Sequence, residues 1–273
     1  MFDTPLMNKL FSLKYKAKLP IKKMLNKVPE ITIFFWIIKI LCTTIGETAA
    51  DYLNMNLHFG LTNTTIVMTV ILLIALFFQF KVKKYIPSIY WLTVALLSVV
   101  GTLITDNLVD NYGVALQTTT TIFAVALGAT FISWFISEKT LSIHTIYTTK
   151  REAFYWLAIL FTFSLGTAAG DLVAEQLHLG YLVSGFVFGA VIAVIALAYF
   201  LFKKYNVLAF WLAYILTRPL GASIGDYLTQ TQKYGGLGIG ATNISIAFLV
   251  TIIVLVGYLS VSRKDEISVD GIV

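Results

Sequence analysis

One frame recurs four times along this chain: a Trp, a Gly ten residues later, and an Asp five residues beyond that. It occurs as Trp36–Gly46–Asp51, Trp91–Gly101–Asp106, Trp156–Gly166–Asp171 and Trp211–Gly221–Asp226. Each copy sits in an apolar run long enough for a membrane-spanning helix and ends it with a carboxylate. The first and second copies are 55 residues apart, as are the third and fourth, while 65 separate the middle two. The extra length lies in the connection at 138–152. The chain therefore reads as two similar halves of two units each.

The surroundings of the frame decide the solvent. The 273 residues are 58% hydrophobic and 12% charged, whereas a soluble domain carries about 25% charge. Long apolar runs in such a chain are membrane spans. Lipid gives a backbone amide no partner, so only helices and closed barrels cross it. The runs have helix length and no two-residue alternation, which excludes barrel strands. The fold class expected is an all-α polytopic membrane protein. Its eight transmembrane helices fall at about 31–53, 62–80, 88–109, 117–137, 153–174, 181–202, 207–229 and 238–260. They form four helical-hairpin repeats in two halves of four spans. An even number of spans per unit makes the repeats parallel, about an axis along the membrane normal.

Five segments follow: a basic N-tail at 1–28, a first half at 29–137, the connection at 138–152, a second half at 153–260 and a C-tail at 261–273. The tail holds seven lysines and no apolar core of a cleavable signal. With eight spans, those seven fall on one side with Lys81, Lys83, Lys84, Lys139, Lys150, Arg151, Lys203, Lys204, Arg263 and Lys264. The other side has only Lys233. Basic loops stay cytoplasmic, so both termini are expected there. The single cysteine, Cys42, allows no intrachain disulfide. The opposite turns are short, with a Gly soon after each motif Asp (Gly60, Gly113, Gly180 and Gly235) and matching His58 and His178.

The segments Lys27–Leu53 (KVPEITIFFWIIKILCTTIGETAADYL) and Thr217–Leu228 (TRPLGASIGDYL) resemble signature stretches of a bacterial membrane-protein family. That family has four tandem two-helix repeats, each with its Trp, and no assigned function. The resemblance covers most of the chain after the N-tail. It implies a multi-pass protein of the bacterial inner membrane and names no substrate.

The chemistry must come from the residues. At about 100° per residue, Trp36, Lys39, Thr43, Gly46, Glu47 and Asp51 share one arc of α-helix. The rise from Trp36 to Asp51 is about 22 Å. The second copy has Ser98, Thr102 and Asp106 in the places of Thr43, Glu47 and Asp51. The third has Phe163, Thr167 and Asp171, and the fourth has Arg218, Ala222 and Asp226. The four Trp and four Gly serve repeat packing, Gly by letting helices approach closely; Trp is also a common interfacial anchor. Ionisable groups are costly in a bilayer unless they face a bundle interior, pair or line water.

The expected cation- and proton-binding set is Glu47, Asp51, Asp106, Asp171 and Asp226 with Thr43, Thr44 and Thr102. Lys39 and Arg218 are the counter-charges. Glu47 and Asp51 are the candidate ligands for a metal. Hard oxygen ligands suit Na⁺, K⁺, Mg²⁺, Ca²⁺ or Mn²⁺. Pro219, Gly221 and Gly225 mark the seventh span as a candidate for a kinked or broken helix, and the run GGLGIGATN opens the eighth.

The function expected is a small-cation transporter, proton-coupled because carboxylates in low dielectric hold protons more readily. A cation channel and a non-transporting scaffold or sensor are the alternatives. No enzyme is expected, because the turns carry no nucleophile–base set or phosphate loop. No cofactor beyond a bound cation is implied. The partners are the lipid bilayer and a small inorganic cation or protons. The basic residues track topology and form no nucleic-acid face. The orientation has a direct check: reporters fused to either terminus should both be active only in the cytoplasm.

Overall fold

The structure, a computed structural model, describes residues 26–202 and 206–266. Most of the basic tail, Lys203 and Lys204, and the end of the C-tail lie outside them. Among the described residues eight long helices are present, each apolar enough to cross a membrane, and the chain is a multi-pass membrane protein. They are α1 (Ile33–Asp51), α2 (Leu61–Lys81), α3 (Pro87–Asp106), α4 (Leu116–Glu138), α5 (Thr149–Asp171), α6 (Tyr181–Phe202), α7 (Asn206–Thr229) and α8 (Ala241–Ser262). No strand occurs among the described residues.

Local signals account for several helix ends. Thr32 and Thr148 cap α1 and α5 by accepting from the amides of Phe35 and Arg151. Pro87 opens α3, where its missing N–H costs nothing. Gly60, Gly113, Gly180 and Gly235 all take positive φ in the turns, which suits a residue with no Cβ. The eighth span starts later than expected, at Ala241 rather than 238. The Gly-rich stretch before it folds back on α7: the amides of Leu237, Gly238 and Ile239 donate to the carbonyls of Tyr227, Gln230 and Leu228. These bonds satisfy groups that a helix end leaves orphaned. The helix α7 itself runs unbroken through Pro219.

The four motif helices form a closed inner ring in the order α1, α3, α5, α7 and back to α1. The plain helices lie outside it, but each packs chiefly on the motif helix of the next repeat. Thus α2 lies on α3, α4 on α5, α6 on α7, and α8 closes the circle on α1. The inner helices are half or more buried. The outer ones bury between 6% and 28% of their apolar windows, leaving large side chains such as Phe77, Phe186, Phe200 and Val254 for lipid.

The motif glycines make the ring tight. A Cβ on Gly46 would stand 2.6 Å from the Cβ of Ser98. On Gly101 it would be 2.7 Å from that of Phe163, on Gly166 2.5 Å from that of Arg218, and on Gly221 2.6 Å from that of Thr43. Each Gly therefore meets the residue three positions before the Gly of the next repeat, all the way round. Real Cβ atoms do not approach so closely, so Gly101→Ala should separate α3 from α5 and cost about 1–3 kcal/mol. Gly128, with nothing within 4 Å of its would-be Cβ, should accept Ala with no loss. Thermal unfolding of the two variants in detergent compares them.

Candidate functional site

A stride of four residues carries one face of each motif helix down the inside of the ring, and the four faces stack into layers about 6 Å apart. The first layer is aromatic: Phe35, Tyr90, Tyr155 and Phe210, all buried. The Tyr90 and Tyr155 hydroxyls share a 2.5 Å hydrogen bond, and the Phe35 and Phe210 rings lie 6.0 Å apart. Trp91, Trp156 and Trp211 are buried beside this layer, Trp91 and Trp211 edge-on to Tyr90 and Phe210. Trp36 is half-buried. The indole of Trp211 donates to the Leu141 carbonyl at 2.9 Å.

The second layer holds Lys39, Val94, Ile159 and Tyr214, all buried. The Lys39 ammonium does not reach Glu47. It lies 3.8 Å from the centre of the Tyr214 ring and 5.0 Å from that of Phe163, and no acceptor among the described residues bonds it. Nor does the side chain snorkel to the surface: it is wholly enclosed. Cation–π contact in a dry site offsets about 2 kcal/mol of its desolvation.

The third layer is Thr43, Ser98, Phe163 and Arg218. The fourth is Glu47, Thr102, Thr167 and Ala222. Arg218 joins the two. One terminal nitrogen of its guanidinium lies within hydrogen-bond distance of three oxygens, Glu47 Oε2 at 2.7 Å, Thr167 Oγ1 at 2.7 Å and Thr102 Oγ1, which share its two N–H groups. Those three residues occupy the same place in three repeats, so one cation on α7 ties α1, α3 and α5 together. The other terminal nitrogen lies 3.5 Å from the Thr43 carbonyl. Arg218 is fully buried, and the Glu47 side chain nearly so.

Thr43 and Thr44 turn away from this ring. Both hydroxyls donate to the Ile40 carbonyl, and Thr43 also lies 3.3 Å from the Thr217 carbonyl. They serve the α1–α7 seam, where Gly221 and Gly225 face them.

The fifth layer is Asp51, Asp106, Asp171 and Asp226. The first three are half-buried and Asp226 is buried. Each lies one turn beyond the guanidinium ring, and no hydrogen bond among the described residues reaches any of the four carboxylates. Directly after Asp51, Asp106 and Asp171 the helix loosens into a π turn, at Tyr52–Asn56, Asn107–Asn111 and Leu172–Gln176. Such turns are frequent at functional positions. In the fourth repeat α7 continues as α-helix past Asp226. His58 and His178 are exposed beyond these turns, both at positive φ. Among the described residues no group of three His, Cys, Asp or Glu side chains is placed to hold a metal.

Two features escape the sequence reading. The aromatic layer is written plainly as the residue before each Trp (FW, YW, YW, FW), but only packing shows that it closes one end of the ring. The second is a buried ion pair at that same end. Lys27 Nζ donates to Glu152 Oε2 at 2.5 Å and to the Phe80 carbonyl at 3.0 Å. Glu152 also accepts from Gln79 Nε2 at 3.1 Å. Backbone bonds tie the same strap to neighbouring connections, Lys27 to Ile146, Tyr85 to Asn26 and Glu30 to Asp265. Tyr85 donates to Asp265 Oδ2 at 2.5 Å. Burial raises the Asp265 carboxyl above its ordinary range, and that hydrogen bond opposes the shift.

A family model described as Repeat of Unknown Function (DUF347) matches the chain four times, at residues 34–85, 89–140, 154–205 and 209–265. The chain belongs to that family, and each matched unit holds one motif helix and the outer helix after it. No curated protein and no solved structure matches the chain.

The pairing of Arg218 with Glu47 has an energetic signature. Arg218→Met strands a buried carboxylate and should cost about 3–5 kcal/mol of stability. Adding Glu47→Leu removes the stranded charge and should restore part of that loss. Unfolding of the single and double variants measures the difference.

Proposed function

We propose that this four-repeat membrane protein is a transporter of small cations, acting as a carrier through the interior of its inner ring. One observation carries the reading: three repeats each present an oxygen to the same point, and a positive charge sits there. Glu47, Thr102 and Thr167 converge on a guanidinium nitrogen deep within a ring of membrane-spanning helices. An interior able to solvate one buried cation has the chemistry to solvate another. Asp51, Asp106, Asp171 and Asp226 form an acidic entrance one turn away. There a cation arriving from water exchanges part of its hydration for carboxylate oxygens.

In this mechanism Arg218 is a tethered counter-charge. While it holds Glu47 the ring is closed; when a cargo ion or proton neutralises Glu47, the guanidinium is released to the aspartates. Lys39 repels a cation from the aromatic end until the rings move. The five carboxylates against two bases give the interior its preference for positive charge. Proton coupling follows from carboxylates that exchange protons with cations at the same oxygens. The aromatic layer favours a carrier over an open channel, since its buried rings fill one end of the inner ring. The distribution of Lys and Arg supports a bacterial inner-membrane orientation with the aromatic end and both termini in the cytoplasm and the aspartates facing out.

Purified protein in liposomes tests the proposal. Wild type should show saturable cation uptake, with a tenfold or greater loss in Glu47→Gln and a smaller loss in Asp51→Asn. Uptake that survives both substitutions refutes the mechanism. Flux that does not saturate selects the channel, and no flux of any cation selects a scaffold.

A further inference from the structure

The ring around the Arg218 nitrogen specifies its occupant more closely than the word cation does. Its charge is that of one carboxylate, Glu47. Its other two oxygens are neutral hydroxyls, from Thr102 and Thr167, and the fourth repeat adds only the methyl of Ala222. The N–H donors of Arg218 meet these oxygens at ordinary hydrogen-bond lengths for Glu47 and Thr167. A divalent ion needs six or more oxygens at short, fixed distances, usually with several carboxylates. Against these three oxygens alone it would keep one uncancelled charge. A monovalent cation leaves none.

Resting on the transport reading above, we infer that Glu47, Thr102 and Thr167 form the occlusion site for the cargo. The cargo is a monovalent cation bearing N–H groups, of the guanidinium or alkylammonium class, whose place is taken in this state by the chain's own Arg218. A planar or compact cation with N–H donors reproduces the bonds already present. It competes with Arg218 on equal chemical terms, because both offer one positive charge and directed donors. Metal ions lack the donors and must be stripped of water instead. The Asp layer would then serve as the place to which Arg218 moves when displaced. Asp226 lies on the same helix two turns along, and Asp171 on the neighbouring α5.

Binding can be measured without transport. Arg218→Gln keeps the Cβ and Cγ that pack against Gly166 and removes the tethered charge. The melting temperature of this variant in detergent should rise by several degrees with guanidinium or methylammonium in the low millimolar range. It should rise little with Mg²⁺ or Mn²⁺ at equal concentration. The rise should vanish in Arg218→Gln/Glu47→Gln, and wild type should respond at least tenfold more weakly.

A larger response to Mg²⁺ or Mn²⁺, or a monovalent response that persists in the double variant, overturns the inference. If Arg218→Gln does not fold unaided, it is expressed and extracted with guanidinium or methylammonium present. Recovery of monodisperse protein supports the site, and failure with both cations overturns it. The two readings fail separately. Selective binding with no cation flux in wild-type liposomes leaves a structural cation site and removes the transport reading. Saturable wild-type flux with no binding in the variant keeps transport and moves the occlusion site elsewhere.

Discussion

Close approach of four helices is the constraint on which the rest depends. In lipid there is little hydrophobic gain from bringing helices together, so association relies on packing and on interhelical polar contacts. The four motif glycines remove the side chain where each helix meets the next, at Ser98, Phe163, Arg218 and Thr43. The ring closes tightly enough for one guanidinium to touch three helices at once. A ring one methyl wider at each seam would leave Arg218 short of Thr102 or Thr167. The polar centre follows from the apolar seam.

The unequal repeats then have a physical explanation. Four identical copies would put four like groups in each layer, and four carboxylates or four guanidiniums cannot share a dry axis. A salt bridge on the axis requires the copies to differ. They differ in the three inner layers: Lys39 stands with Val94, Ile159 and Tyr214, Arg218 replaces a hydroxyl or Phe163, and Glu47 faces Thr102, Thr167 and Ala222. Where the layer is half open to solvent, at the four aspartates, identity is retained in all copies. Where the layer is packed with rings, at Phe35, Tyr90, Tyr155 and Phe210, it is nearly retained. Symmetry persists where it costs little and breaks where charge forbids it.

The two ends of the ring are unlike. One is filled by aromatic rings, and the strap around Lys27, whose ammonium is neutralised by the enclosed Glu152, bonds to the connections at that end. The other ends in carboxylates that no hydrogen bond among the described residues reaches, followed by π turns in three of the four repeats. A bundle built only for stability has no need of unpaired carboxylates beside loosened backbone. The outer helices contribute differently: each follows its own motif helix through a short turn and packs on the motif helix of the next repeat, so parting two motif helices pulls on that link.

The sequence by itself determined the eight helices, the four-unit period and the residues of the polar face. These rest on local quantities: apolar length, the 3.6-residue period and the fixed Trp–Gly–Asp spacing. The turn glycines and the Pro87 start were legible for the same reason. Only the tertiary structure decided which charges meet. From the sequence Lys39 and Arg218 were both counter-charges to five acids. Packing encloses Lys39 against Tyr214 and Phe163 and sends Arg218 to Glu47, because the closed ring brings α7 beside α1 although 171 residues separate the pair. The outer helices are apolar on every side, so no stripe in them names the helix they cover. The order of the ring lies in contacts between distant segments, and one-dimensional spacing does not encode which helix becomes whose neighbour.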